Sequence, residues 1–281
     1  MRAASLLALT LAPVALAASE PVSIKVDSVT LSGTLELPSG SGPFPVALIV
    51  AGSGPTDRDG NSNQGLKTDA YKLLAQGLAA RGIATLRYDK RGIGERVTDQ
   101  REQDLRFGDF VNDAAAWLRQ LGADRRFSSV GVIGHSEGSL IGLLAAKKTN
   151  AAAFVSIAGP GENAADTIIR QLRANPANPP DLVAEGVRIT GELRAGREVA
   201  KVDPRLAALY RPSVQPYVIS WFRYDPAAEI ASLNVPTLIV QGDRDLQVTL
   251  DDARKLKAAR PEAELVVVKG MNHVLKEVGD D

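Results

Sequence analysis

The chain has 281 residues, of which 44% are hydrophobic and 23% charged, an ordinary globular composition that excludes a disordered, collagenous or coiled-coil protein. Thirty-three Lys and Arg balance thirty-three Asp and Glu, so no global field attracts nucleic acid or an acidic membrane surface, and nucleic acid is not an expected partner. With no cysteine, disulfides and thiolate chemistry are excluded, and with two histidines, His135 and His273, any imidazole chemistry has two candidates.

The chain opens on Met1-Arg2, a short apolar run over residues 3–12, and Ala15-Leu16-Ala17, which reads as a cleavage site. Residues 1–17 are therefore expected to be a signal peptide, giving an exported protein, periplasmic or secreted, that begins near Ala18. The competing reading is an uncleaved N-terminal helix. The run is too short for a bilayer-spanning helix of about 20 residues, so stable membrane insertion is not expected.

Residues 22–27 and 29–37 alternate in polarity and predict a hairpin, followed by the linker Ser39-Gly40-Ser41-Gly42-Pro43. The pattern then changes to continuous apolar runs at 46–51, 83–88, 130–134, 153–158, 237–241 and 265–269, the signature of strands buried on both faces of a parallel sheet. Helical periodicity at 69–81, 110–121, 137–147 and 250–259 alternates with them, which places the chain in the α/β class. The stretch 162–226 is helical and proline-punctuated with no buried-strand run, and reads as a cap between core segments 18–161 and 227–281.

Gly134-His135-Ser136-Glu137-Gly138 follows a predicted strand and opens a predicted helix, the context that gives the G-x-S-x-G pattern its meaning. Glycine on either side lets strand and helix approach, and the tight turn pushes the serine out above the sheet; the competing reading is a glycine-rich turn with an inert serine. A serine nucleophile needs a base, and the base needs an orienting carboxylate. His135 adjoins Ser136, so its side chain is expected to point away, leaving His273 in the loop after the last strand as the base. Asp243 and Asp245, directly after the 237–241 strand, are both candidates for the acid.

At this point the chain resembles the α/β-hydrolase fold family, whose triad runs Ser, Asp, His in chain order, here over 22–276. The resemblance implies a mostly parallel sheet flanked by helices, and its G-x-x-D-x-x-V pattern fits Gly242, Asp245 and Val248, which selects Asp245 and leaves Asp243 a turn role. It also implies an oxyanion hole of two backbone N–H groups, from Glu137 and from Ser53 in Ala51-Gly52-Ser53-Gly54, where many relatives carry His-Gly-x. Tyr88-Asp89-Lys90-Arg91-Gly92-Ile93-Gly94 matches the family's D-x-R-G-x-G turn and is read as structural. Eight residues follow His273, so the terminal helix that usually covers the sheet is expected to be short or missing, as in a truncated product.

Other patterns carry less. Asp57-Arg58-Asp59-Gly60-Asn61 reads as a salt-bridged turn network, with contact to a polar substrate group as the alternative; it is out of register for a calcium loop. Residues 60–65 have P-loop spacing but Leu66 interrupts it, and Gly52-Ser53-Gly54 starts like a dinucleotide fingerprint without its third glycine, so an NAD-dependent oxidoreductase is a weak alternative. Tyr217 and Trp221 fall on one side of a helix in the cap and are candidate pocket residues. The expected function is hydrolysis of short-chain, uncharged carboxylic esters through an acyl-enzyme, with no cofactor and no metal. An aminopeptidase or amidase of the same fold is the runner-up, and a non-catalytic binding protein a further alternative.

Overall fold

The computed structural model describes residues 18–93 and 101–279; the proposed signal peptide, residues 1–17, and Gly94 of the D-x-R-G-x-G turn lie outside them. The strands are β1 (Ala18–Val26), β2 (Val29–Leu37), β3 (Phe44–Val50), β4 (Ala84–Tyr88), β5 (Phe127–His135), β6 (Ala153–Ile157), β7 (Thr237–Gly242) and β8 (Glu264–Val268). They form one sheet in the order β1-β2-β4-β3-β5-β6-β7-β8. The β1–β2 hairpin and the β2–β4 pair are antiparallel, and every pair from β4 through β3 to β8 is parallel.

The helices are α1 (Ala70–Ala79), α2 (Phe107–Ala123), α3 (Glu137–Thr149), α4 (Ala164–Ala174), α5 (Pro180–Arg194), α6 (Ala207–Tyr210), α7 (Gln215–Trp221), α8 (Pro226–Ala231) and α9 (Leu250–Ala259). Alternate side chains of β3 show why both faces are covered. Val46, Leu48 and Val50 join Phe107, Trp117 and Leu140 of α2 and α3 in the larger core, while Ala47 and Ile49 meet Tyr71 and Ala75 of α1 on the opposite face.

The 265–269 run departs from the expected two-sided burial. Val266 is 38% and Val267 47% exposed. β8 is an edge strand with β7 as its one sheet neighbour, and among the described residues no helix follows it to cover the second face.

Between β6 and β7, helices α4 to α7 build a separate apolar cluster from Ile168, Leu172, Leu182, Ile189, Leu193, Tyr210, Val218 and Phe222. Tyr217 and Trp221 of α7 pack against this cluster and the main core at once. Asn163 caps α4 through the Ala165 N–H and donates its amide to the Phe222 and Tyr224 carbonyls, fastening the start of the segment to its end.

Candidate active site

Ser136 sits between β5 and α3 with φ 54° and ψ −124°, a conformation that costs a non-glycine residue roughly 1–3 kcal/mol. Its backbone is pinned on both sides: the Ser136 N–H donates to the Ile157 carbonyl and its carbonyl accepts from the Ser139 N–H, each at 2.9 Å. The flanking glycines are there for space. A Cβ on Gly134 would lie 2.2 Å from the Gly138 carbonyl oxygen, and one on Gly138 would lie 2.3 Å from that of Val50.

The other members of the expected triad come from the ends of β7 and β8. His273 Nε2 lies 3.1 Å from Ser136 Oγ, and His273 Nδ1 lies 2.8 Å from Asp245 Oδ2. The two loops meet because Gly242 has no side chain: a Cβ there would lie 2.0 Å from the Met271 carbonyl oxygen. Burial works to raise the Asp245 pKa, but the bond to His273 and the Val248 and Gln247 N–H groups on Oδ1 outweigh it, holding the carboxyl below its ordinary value. Gln241 Nε2 adds a contact to Asp245 Oδ2 at 3.2 Å. Asp243 does not reach the imidazole; its Oδ1 accepts the Gly270 N–H at 2.7 Å and so shapes the loop that carries His273.

His135 points away from the Ser136 hydroxyl into a chain of hydrogen bonds whose direction is fixed. A carbonyl accepts only, so His135 Nε2–H donates to the His273 carbonyl at 2.8 Å, and Nδ1 is left as an acceptor for the Tyr71 hydroxyl at 2.8 Å. Tyr71 Oη in turn accepts the Gly52 N–H at 3.2 Å. Burial, with the nearby His273 ring, pushes the His135 pKa down to about 3, so the ring is neutral. Burial likewise pushes Tyr71 up to about 12, the Gly52 bond opposing.

Of the two residues expected for their backbone, Glu137 follows Ser136 in the chain and Ser53 shares a cleft with it. Glu137 is the first residue of α3, so its N–H has no carbonyl four residues earlier within the helix. Ser53 is exposed and lines a cleft of about 160 Å³ together with Gly52, Thr56, Ser136, Gln247 and His273. The Glu137 side chain is buried: Oε2 pairs with Lys90 Nζ at 3.2 Å, and Oε1 accepts the Tyr217 hydroxyl at 2.5 Å.

Tyr217 and Trp221, expected as pocket residues, do not line this cleft. The Tyr217 hydroxyl is engaged by Glu137, and the Trp221 ring stacks on Phe107 at 5.9 Å and 3° between planes, so both join the helical segment to the sheet. The cleft wall comes instead from residues 52–71 and 273–275, through Leu66, Thr68, Val274 and Leu275 among others. Asp57 to Asn61 form the expected polar turn network: Arg58 grips Asp89 at 2.6 Å, Asp59 meets Arg87 at 2.7 Å, and Asp57 Oδ1 accepts from the Asp59 and Asn61 N–H groups. Tyr71, Lys90 and Gln241 also belong to this site, and no sequence motif marks them for it. Lys90 lies within the D-x-R-G-x-G turn, whereas Tyr71 carries no signal beyond a helical apolar position.

The description "Alpha/beta hydrolase family" matches residues 47–275. The chain belongs to the alpha/beta hydrolase family. It is 29% identical over 266 residues to Esterase EstD of Thermotoga maritima, a match covering 91% of this chain and 61% of that protein, so it spans about three-fifths of that relative's length. Among solved structures, Est1E from Butyrivibrio proteoclasticus aligns with TM-score 0.62 and 18% identity over 91% of each chain. The esterase domain of a Rhodothermus marinus protein aligns with TM-score 0.60 and 20% identity over 92% of this chain and 91% of its own. Both share the fold. No helix among the described residues is long and apolar enough to cross a membrane.

Proposed function

We propose that the protein is a serine esterase acting through an acyl-enzyme. The observation that carries this reading is the continuous row Ser136 Oγ, His273, Asp245 at 3.1 and 2.8 Å, with the serine held at positive φ on a strand-to-helix turn. Ser136 Oγ attacks the acyl carbon while His273 Nε2 takes its proton; Asp245 holds Nδ1–H and stabilises the imidazolium. The carbonyl oxygen becomes an oxyanion that accepts from the Ser53 and Glu137 N–H groups. Collapse expels the alcohol, to which His273 returns the proton. Water then repeats the sequence on the acyl-serine and releases the acid.

The cleft bears on substrate class. None of its lining residues is Asp, Glu, Lys or Arg, and its about 160 Å³ falls below the roughly 300 Å³ at which drug-sized pockets begin. Both facts favour a small, uncharged acyl group of roughly two to eight carbons. The likeness to Esterase EstD supports ester over amide hydrolysis, and the Ala15-Leu16-Ala17 pattern supports export.

The test is kcat/KM on p-nitrophenyl acetate, butyrate and octanoate beside an alanyl anilide, with Ser136→Ala as control. The esters are expected to be cleaved faster than the anilide, and Ser136→Ala to lose on the order of 10³-fold to 10⁶-fold. A folded Ser136→Ala variant keeping a tenth of the activity overturns the nucleophile. An anilide preferred tenfold makes the protein an amidase.

A further inference from the structure

The turn after β4 carries a charged side chain into the site from behind. Lys90 is 5% exposed, and its Nζ donates to the Gly52 carbonyl oxygen at 2.5 Å and pairs with Glu137 Oε2 at 3.2 Å. The Gly52 carbonyl and the Ser53 N–H belong to one peptide group. That peptide is trans, so its C=O and N–H point in opposite directions. An ammonium fixed on the carbonyl side therefore aims the N–H the other way, and Ser53 lines the cleft with Ser136.

We infer that Lys90 is a positioning residue for the oxyanion hole, holding and polarising the Gly52–Ser53 peptide while its ion pair anchors Glu137, the residue that carries the second donor. The inference rests on the reading of Ser136 as a nucleophile. Three features support it. Lys90 bonds the carbonyl as well as the carboxylate, so it is more than a counter-ion for Glu137. Its surroundings exclude water, with the Phe110 ring centroid 5.8 Å from Nζ, and a charge–dipole bond is strongest where the dielectric is low. Finally, Gly52 has no side chain to hold it and no room for one, since a Cβ there would lie 3.1 Å from Ser136 Cβ, so orienting the peptide falls to the contacts on its polar atoms.

An oxyanion donor acts on the transition state and not on bound ester, so its disturbance separates kcat from KM. The experiment compares wild type, Ser136→Ala, Lys90→Met and the charge-neutral pair Lys90→Met with Glu137→Gln on p-nitrophenyl butyrate. Each is also titrated with an alkyl trifluoromethyl ketone, whose serine adduct places an oxyanion in the same hole. Thermal melts establish that each variant is folded, and the double variant carries the test where an unpaired Glu137 keeps Lys90→Met from folding.

Removing one such donor outright costs about 10²-fold to 10³-fold. Here the donor remains but loses its alignment, so kcat is expected to fall on the order of 10-fold to 10²-fold in both Lys90 variants. KM should stay within about threefold, and the ketone should weaken by the same factor as kcat. A double variant within threefold of wild-type kcat overturns the inference, because Lys90 would then serve Glu137 alone. So does a fall in kcat without parallel weakening of the ketone. A wild type inactive on esters, or an active Ser136→Ala, overturns the underlying reading of the site instead.

Discussion

Two pairs of carboxylate and base flank Ser136, one half-buried and one buried, and they differ in what the base touches next. Asp245 holds His273, whose free nitrogen reaches the serine oxygen; Glu137 holds Lys90, whose ammonium reaches a backbone carbonyl. Imidazole both donates and accepts, so in the proposed reaction the first pair moves a proton from the serine to the leaving group. An ammonium offers donors and no acceptor, so the second pair can only fix a dipole in place. Under the proposed function, the same elementary pairing serves as a proton route on one side of the serine and a rigid electrostatic wall on the other.

The largest expected effect breaks the first pair without disturbing its shape. Asp245→Asn keeps an acceptor for the Gln247 and Val248 N–H groups but favours the wrong imidazole tautomer, and kcat on the butyrate ester should fall about 10⁴-fold. Asp243→Asn retains the oxygen that accepts the Gly270 N–H, so its loss should stay within about tenfold. If Asp243→Asn proves the more damaging of two folded variants, the proton route has been assigned to the wrong carboxylate.

The two pairs also differ in how far the sequence announced them. Ser136, Asp245 and His273 lie in short motifs whose spacing follows from local backbone demands: glycine where strand and helix nearly touch, and glycine where two loops cross. The parallel strands were legible for the same reason, since a strand buried on both faces is apolar at every position. The Lys90–Glu137 pair spans forty-seven positions and depends on how the β4 turn packs under the elbow, which no local pattern encodes. Local pattern points to the Glu137 amide and to a turn at Lys90, not to the contact between their side chains. Tyr217 and Trp221 had the right spacing for one helix face, but helical periodicity does not say what that face meets; it meets Glu137 and Phe107. The exposure of Val266 and Val267 was hidden likewise, because an apolar run does not reveal its place at the sheet edge.

The next effect, on stability, joins the two sides. His135 donates to the His273 carbonyl and accepts from Tyr71, which accepts from Gly52, so one neutral ring ties the His273 loop to the Gly52–Ser53 peptide. Its pKa is lowered from 6.5 to about 3, so between those values the unfolded chain binds a proton that the folded protein does not. The contribution is fully present above pH 6.5 and is lost as pH falls toward 3, which amounts to about 2 kcal/mol between pH 6.5 and 4.5. That window lies above the range where Asp245 titrates. In urea unfolding, His135→Gln should start less stable at pH 7 yet lose about 2 kcal/mol less than wild type on acidification. Equal losses in the two proteins would show that the ring is not held neutral.

The smallest effect tests the outer end of the second pair. Tyr217→Phe removes the hydroxyl that donates to Glu137 Oε1 but leaves the ring against Phe107 and Phe110, as well as both Lys90 contacts. A hydrogen bond to a charged group contributes roughly 1.5–3 kcal/mol, and the lower end applies here because Lys90 continues to compensate the carboxylate. Stability should therefore fall by about 1.5 kcal/mol and kcat by less than about fivefold, a smaller change than either Lys90 variant produces. Because Tyr217 is not part of the cleft wall, the ratio of kcat/KM for acetate, butyrate and octanoate esters should be the same in Tyr217→Phe as in wild type. A shifted chain-length preference would put the Tyr217 side chain in contact with the acyl group, and the helical segment would then shape specificity directly instead of bracing Glu137 from behind.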